Sequence, residues 1–102
     1  MSNLEIREIP EKNMGRFEMH VEDHIAFIDY LKKNHTLILT HTEVPEEISG
    51  QGIGKKLVHE VLSHAENNSF KVIPRCSFII GYMKRHPETQ HLLEEGIAFN
   101  KN

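Results

Sequence analysis

The first half of the chain contains four stretches in which apolar and polar residues alternate, as they do in strands with one buried face. The four predicted strands, separated by short polar turns, cover residues 4–9, 17–21, 25–31 and 36–44. Consecutive strands joined by tight turns pair antiparallel, so the pattern predicts an antiparallel meander. Met14 and Met19 are expected to fill its core. Asp29, inside an apolar strand, is expected to cap a bulge or to face solvent at an edge.

The period then changes from that of a strand to that of a helix. Six apolar residues share one face of the next segment: Ile53, Leu57, Val58, Val61, Leu62 and Ala65. Polar residues 67–69 end this helix, and the short apolar strand at residues 70–73 should lie parallel to the fourth strand after a right-handed crossover. A second helix is predicted over residues 77–85, with Met83 in the core, and Pro87 opens a last short helix.

These elements, in a chain of 102 residues of which 38% are hydrophobic, predict one α+β domain over residues 1–95 and a frayed tail over residues 96–102. The net charge is −3 and no dense basic stripe occurs, so nucleic acid is a poor partner. No apolar run has the length of a membrane span, and the N-terminus lacks the pattern of a signal peptide. The one cysteine excludes an internal disulfide, and we expect a cytoplasmic protein.

The histidine content is high, with eight residues, but it does not indicate a metal site. None of the histidines belongs to the His-Glu-x-x-His pattern that holds zinc on a helix. We therefore expect most of them at the surface and predict no bound metal.

A glycine-rich loop lies between the fourth strand and the long helix and reads Ser49-Gly50-Gln51-Gly52-Ile53-Gly54-Lys55. Glycines at alternate positions leave the backbone bare, so its N–H groups can approach a ligand closely. The helix that begins there adds unpaired N–H donors and the positive end of its dipole. The loop is therefore predicted to bind an anionic group, most simply a phosphate or a pyrophosphate.

Two familiar phosphate-binding loops do not fit this spacing. A Walker loop would need a glycine where Ser49 stands and a Ser or Thr where Lys56 stands. The dinucleotide fingerprint needs a third glycine three residues after the second, and the two positions that qualify hold Lys55 and Leu57. The spacing Gly-x-Gly-x-Gly is a different signal.

That spacing resembles the acyl-CoA loop of the GNAT acetyltransferase superfamily, which follows a strand and opens a helix. The family loop reads Arg or Gln, two residues, Gly, one residue, then Gly or Ala. Gly52 and Gly54 match its glycines, and Ser49 replaces the Arg or Gln. Three further segments resemble the short single-domain YjdJ-type branch of the superfamily, namely His41 to Pro45, Lys71 to Cys76 and Tyr82 to Pro87.

The resemblance implies a GNAT-like fold with a mostly antiparallel sheet, splayed between its fourth and fifth strands, and acetyl-CoA or CoA as the cofactor. The pyrophosphate would bind residues 49–55, and the pantetheine arm would enter the splay and pair with the fourth strand up to Val44. Cys76 would lie near the acetyl group, and Tyr82 would contact the coenzyme and protonate the departing thiolate.

The same resemblance implies the reaction, which is transfer of acetyl to the amine of a small molecule or a protein. A pair of strands that usually closes the acceptor side of a GNAT domain has no counterpart at the C-terminal end of this sequence. The acceptor face would therefore be open or completed by a second subunit, and we expect a monomer or a homodimer.

Two titratable residues at the end of the fourth strand are candidates for the base of this reaction. By the period-2 rule His41 and Glu43 lie on the same face as Leu37 and Leu39, so this face changes from apolar to titratable beside the loop. An imidazole or a carboxylate within reach of the acceptor amine can take its proton. The alternative is that both are half-exposed residues at a sheet edge. The sequence favours neither interpretation over the other.

Cys76 and Tyr82 also have two interpretations. Cys76 either takes part in acetyl or proton transfer or simply packs, since cysteine is among the most buried residue types. Tyr82 lies at helical spacing from Phe78 and fits a core position as well as a catalytic one. For the whole chain, a second hypothesis is a non-catalytic module that binds CoA or acyl-CoA, and a third is an interaction protein whose loop binds nothing.

Overall fold

The computed structural model describes residues 4–97. Its regular elements are the strands β1 (Leu4–Ile9), β2 (Met14–Val21), β3 (His24–Lys33), β4 (Thr36–Glu43) and β5 (Lys71–Pro74) and the helices α1 (Ile53–Asn67) and α2 (Ser77–Arg85). Three short 3-10 turns complete them, at Pro10–Lys12, Glu46–Ile48 and Pro87–Leu92. Of the tail predicted over residues 96–102, residues 98–102 lie outside the described part of the chain.

One sheet contains all five strands in the order β1-β2-β3-β4-β5. The first three pairs of neighbours are antiparallel, and β4 and β5 are parallel, with α1 as the crossover between them. The predicted α+β class and the parallel fifth strand are therefore confirmed. Glu22 and Asn34 have positive φ angles of 56° and 57° in the two tight turns, β2–β3 and β3–β4, that make the meander.

Both helices pack on one face of the sheet, which we call the helix face. The fully buried side chains come from strands and helices alike: Phe17, Met19, Ile28, Leu37, Leu39, Ile48, Leu57, Val58, Val61, Val72, Ile79 and Met83. Met19 and Met83 are thus core residues, as predicted. The same prediction for Met14 is wrong, because β2 extends back to Met14 and the alternation that buries Phe17 and Met19 turns Met14 to the other face.

The other face, which we call the uncovered face, has no helix packed on it among residues 4–97. A row of five aliphatic side chains crosses it, one from each strand in direct register: Ile9, Met14, Leu31, Ile38 and Ile73. The next row along the strands is polar and contains Arg7, Arg16, Asp29 and His41. No helix among residues 4–97 is long and apolar enough to cross a membrane.

A β-bulge interrupts the pairing of β3 with β4. Tyr30 pairs with Leu39 but Asp29 pairs with His41, so Thr40 is an extra residue in β4. Its hydroxyl donates to the backbone oxygen of Asp29 at 3.2 Å. A bulge residue shifts the alternation of the strand by one position, so every side chain beyond it changes face.

The bulge makes one prediction wrong. His41 and Glu43 do not share a face with Leu37 and Leu39. They lie on the uncovered face, opposite Asp29 and Phe27, whereas Thr42 lies opposite the buried Ile28 on the helix face. Asp29 lies beside the bulge, but its carboxylate does not cap it: the backbone oxygen accepts from Thr40, and the carboxylate binds Arg16 at 2.6 Å on a central strand.

On the helix face, Tyr30 packs directly on the backbone of Gly15. The Tyr30 ring passes over Gly15, and its hydroxyl donates to Glu8 Oε2 at 2.7 Å. A Cβ atom at position 15 would lie 2.5 Å from Tyr30 Oη and 2.7 Å from the Arg7 carbonyl oxygen. Burial, and then the Glu8 carboxylate, raise the pKa of Tyr30, so the phenol stays protonated and remains a donor.

We expect Gly15→Ala to lower the free energy of unfolding by about 1–3 kcal/mol, because a methyl group there overlaps backbone as well as side chain. Gly81→Ala is the control: its Cβ would meet only the flexible end of Arg85 at 3.3 Å. Ala is the better helix former, so this change should stabilise by about 0.5–1 kcal/mol. Urea unfolding measures both, and equal stability of Gly15→Ala and wild type would contradict the close packing.

Candidate functional site

The gap between β4 and β5 is the first component of the candidate site. The two strands pair only from Thr36 to Leu39, and a last hydrogen bond runs from Arg75 N to Leu39 O at 2.8 Å. Beyond this bond β4 continues to Glu43, whereas β5 has ended at Pro74 and the chain enters α2 at Ser77. We call the gap between residues 40–43 and Cys76–Ser77 the splay. The predicted splay between the fourth and fifth strands is therefore present.

The glycine-rich loop lies at the open end of the splay, between β4 and α1. Its first part is anchored by Ile48, which is fully buried. Gly50 and Gly52 have positive φ angles of 80° and 76°, and a Cβ at either position would meet no atom within 4 Å. Glycine is therefore favoured at both positions by backbone conformation, and the space above them is open to a ligand.

Gly54 has a different role, which is close packing inside the first turn of α1. A Cβ there would lie 2.8 Å from Phe78 Cζ and 3.5 Å from Val44 Cγ2. The start of α1, the end of β4 and the start of α2 therefore meet at one point. Phe78, with 39% of its surface exposed, borders this point and was not a predicted site residue. The only sequence indication of Phe78 is Gly54 itself, because a glycine inside a helical pattern often marks a close contact with another element.

The N-terminus of α1 supplies the polar groups of the loop. Gly52 is its N-cap and has no side chain to satisfy the first N–H groups, and the first intrahelical hydrogen bond is Lys56 N to Gly52 O at 3.1 Å. No acidic residue lies in this first turn, which contains the exposed Lys55. The Ser49 hydroxyl is used inside the loop, since it donates to Glu46 O at 2.8 Å. The helix end is therefore positive, its first backbone donors have no side-chain cap, and open space borders Gly50 and Gly52 beside it.

Cys76 is the N-cap residue of α2 and lies in the splay, half-buried and with a free thiol. Burial raises the pKa of the thiol, but hydrogen bonds from the Thr42 side chain and from backbone N–H groups of Phe78, Ile79 and Thr42 outweigh it. The net effect is a pKa below the ordinary cysteine value. Because the contacts include Thr42 of β4, the sulfur bridges the two sides of the splay.

Thr42 is the partner that the bulge turns toward Cys76. Its Oγ1 is buried and makes no well-formed hydrogen bond among the described residues, although it stabilises the Cys76 thiolate. A thiolate is a stronger acceptor than a thiol, so a hydroxyl beside the sulfur favours the ionised form of Cys76. Thr42 was not a predicted site residue, because a period-2 reading of β4 turns it away from this face.

His41 and Glu43 contact each other on the opposite side of β4. His41 Nε2 lies 3.2 Å from Glu43 Oε1, and both side chains are more than half exposed. The His41 ring also lies 6.0 Å from the ring of Phe27 on the uncovered face. The two candidate bases are therefore together, but they do not lie on the same side of the strand as Cys76 and Thr42.

Tyr82 lies elsewhere on α2. It is buried, its ring stacks on His86 at 4.2 Å, and it lines a small cavity with His59 and Ser63 of α1. Burial and, second, the charge of Glu88 raise its pKa. None of these contacts within the described chain involves the splay, so the structure does not bring Tyr82 together with Cys76.

One group of possible metal ligands occurs on the uncovered face, at Glu5, Glu18 and His20, with ligand atoms within 4.8 Å of one another. Arg7 already binds this group, at 3.0 Å from Glu18 and 3.4 Å from Glu5. The guanidinium neutralises carboxylates that a cation would need, so we assign no metal to this group.

Comparison with known proteins identifies the family. The model of the GCN5-related N-acetyl-transferase family matches residues 16–92, which include the splay, the loop and both helices. The chain belongs to this family. Protein NATD1 of Xenopus tropicalis is 32% identical over 68 residues, which are 67% of this chain and 62% of that protein. Protein NATD1 of Gallus gallus is 37% identical over 54 residues, which are 53% of this chain and 49% of that protein.

The matched part of the chain therefore spans 62% and 49% of the length of these curated relatives. A solved structure matches the chain over its full length. The match to the solution NMR structure of a GCN5-like protein from Staphylococcus aureus covers 100% of this chain and 98% of that chain. The TM-score is 0.66 and the identity 32%, which confirms the GNAT-like fold. The YjdJ-type branch within the family stays a prediction.

We expect Thr42→Val to raise the pKa of Cys76, because the variant removes a hydroxyl that stabilises the thiolate. Thiolate is the reactive form, so the pH profile of alkylation by iodoacetamide should move to higher pH and the rate at pH 7 should fall. Thr40→Val is the control, since the Thr40 hydroxyl binds Asp29 on the other side of the strand. Identical profiles for Thr42→Val and wild type would remove Thr42 from the site.

Proposed function

We propose that this protein binds acetyl-CoA and transfers the acetyl group to a primary amine. The observation that carries the proposal is the position of the splay, which opens beside the bare N-terminus of α1. A strand edge without a β5 partner, next to free N–H donors of α1, suits a ligand with an amide-containing arm and a diphosphate. Membership of the GCN5-related family supports acetyl transfer as the chemistry.

In this proposal the diphosphate of the coenzyme binds the backbone donors of residues 49–55. Gly50 and Gly52 leave room for the phosphates, and Gln51, Ile53 and Lys55 frame them. The pantetheine amides would pair with the free edge of β4 from Thr40 to Val44, as an added strand does. The thioester would then end beside Cys76, where the splay narrows.

The reaction proposed for this arrangement removes two protons from an ammonium acceptor, one before the attack and one after it. Glu43, or His41 in contact with it, would take a proton from the ammonium form of the amine. The neutral amine nitrogen then attacks the thioester carbonyl carbon and the C–N bond forms. The nitrogen of the tetrahedral intermediate loses its second proton to solvent, and the C–S bond breaks as the intermediate collapses. The coenzyme leaves as thiolate and takes up a proton, which the Cys76 thiol is placed to supply.

Coenzyme binding can be tested by changing the charge at the loop. We expect Lys55→Glu to weaken CoA binding roughly tenfold, because a charge of the wrong sign is placed in the first helical turn beside the phosphates. Lys33→Glu makes the same change in charge at the far end of β3 and should bind like wild type. Calorimetry with CoA measures both, and no heat from the wild type would refute the proposal.

The role of the base can be tested by kinetics. We expect the double variant His41→Gln, Glu43→Gln to lower kcat by about 10²–10⁴-fold while CoA affinity stays unchanged. Glu47→Gln, an exposed carboxylate in the turn before the loop, is the matched control. Acetyl-CoA consumption is followed over a panel of primary amines.

A protein that binds CoA yet consumes no acetyl-CoA with any amine would support the second hypothesis, a non-catalytic CoA-binding module. Tyr82 favours this hypothesis, because its described contacts leave it outside the splay. We also propose that the protein works in the cytoplasm, because a reducing compartment keeps a single cysteine such as Cys76 in its thiol form.

A further inference from the structure

A cavity on the uncovered face has a volume of about 570 Å³. We propose that this cavity binds the amine acceptor, and that the acceptor is a primary amine carried on an apolar stem, such as an alkylamine. The inference rests on the proposed function and adds the chemical class of the second substrate. The lining residues on which it depends are Ile9, Met14, Leu31, Arg16, Asp29 and Thr40.

The floor of the cavity is apolar. Ile9, Met14 and Leu31 are direct neighbours in the pairing of β1, β2 and β3, and they are exposed by 43%, 37% and 41%. Three large aliphatic side chains that remain this open form a surface that gains from being covered by an apolar ligand. The volume is within the range of cavities that hold small molecules.

The charges around the cavity favour a cationic ligand. Arg7 binds Glu18 at 3.0 Å and Arg16 binds Asp29 at 2.6 Å, so both arginines are already neutralised. On the uncovered face the lining contains two carboxylates, of Glu18 and Asp29, and two guanidinium groups, which balance; the Glu8 carboxylate binds Tyr30 on the helix face. Glu5, at 3.4 Å from Arg7, and Glu43, whose charge acts on Arg16, add negative charge beside the lining. An ammonium group is therefore preferred to a carboxylate or a phosphate.

The cavity reaches the strand at which transfer is proposed. Thr40, the extra residue of the β4 bulge, lines it, and the next residue is His41. The bulge turns His41 and Glu43 onto the same face as the cavity and turns Thr42 toward Cys76. An amine in the cavity would therefore approach β4 from the side of the bases, while the thioester lies beside Cys76.

The test is a titration followed by backbone amide NMR, with and without saturating CoA. n-Hexylamine should shift the signals of Met14, Gly15, Leu31 and Thr40 and should bind at least roughly tenfold more tightly than methylamine, because its stem covers the apolar floor. Hexanoate, with the same stem and the opposite charge, should bind more weakly than n-hexylamine. Equal binding of n-hexylamine and methylamine, or no shifts at these residues, would overturn the proposal.

A matched pair of variants separates the cavity from the rest of the face. Leu31→Lys puts a cation on the floor and should abolish n-hexylamine binding without changing CoA binding. Ile25→Lys makes the same change on the same strand and face, at 39% exposure but outside the lining, and should bind n-hexylamine like wild type. Equal effects of the two substitutions would overturn the proposal.

Two further outcomes are distinguishable from these. If CoA shifts no signal from Gly50 to Gly54, the proposed function fails, whatever the amine does at the cavity. If sedimentation shows a dimer that Leu31→Lys dissociates, a second copy of the chain covers the aliphatic row, and the acceptor proposal is wrong although CoA still binds.

Discussion

One extra residue in β4 decides which chemical groups meet in this protein. Before Thr40 the strand directs Leu37 and Leu39 into the core, and after it the alternation is reversed. Without the bulge the imidazole of His41 and the carboxylate of Glu43 would point toward the buried helix face, where an ionised group is costly unless it is paired. With the bulge both lie at the surface, and the smaller Thr42 takes the inward position. The constraint that protects the core therefore also separates a thiol on one side of the strand from two bases on the other.

The glycines of the loop show how one residue type serves two physical purposes. Gly50 and Gly52 adopt left-handed backbone conformations over open space, whereas Gly54 lets Phe78 and Val44 approach the first turn of α1. The first purpose exposes backbone donors to a ligand. The second fixes the helix end against β4 and α2, so the loop cannot move freely with respect to Cys76. Under the proposed function, the phosphates and the thioester lie at opposite ends of the coenzyme, so the two parts of the site need this fixed distance between them.

Most of the fold follows from local patterns, and the errors arise where contacts between elements override them. The apolar periodicity placed all five strands, and the bounds predicted for the second helix, 77–85, are those observed. The loop and the splay followed from the family resemblance. The sequence did not predict which side chains of β4 beyond Thr40 face the core. The period-2 rule assumes an uninterrupted strand, whereas a bulge depends on how the strand pairs with its neighbour. Thr42 and Phe78 were missed as site residues, since their positions depend on that bulge and on contacts between helices.

The opposite orientations of Cys76 and of the His41–Glu43 pair set a condition on any transfer between two substrates. The backbone of β4 lies between the thiol and the bases, so they do not share a proton directly. A group that both can reach has to lie in the splay, where residues 40–43 have no partner in β5. Under the proposed function that group is the thioester carbonyl, with the coenzyme on one side and the amine on the other. If β5 paired with β4 to its end, the two sides would be closed off from each other. The early end of β5 at Pro74 is therefore as necessary to the proposed chemistry as the glycine-rich loop.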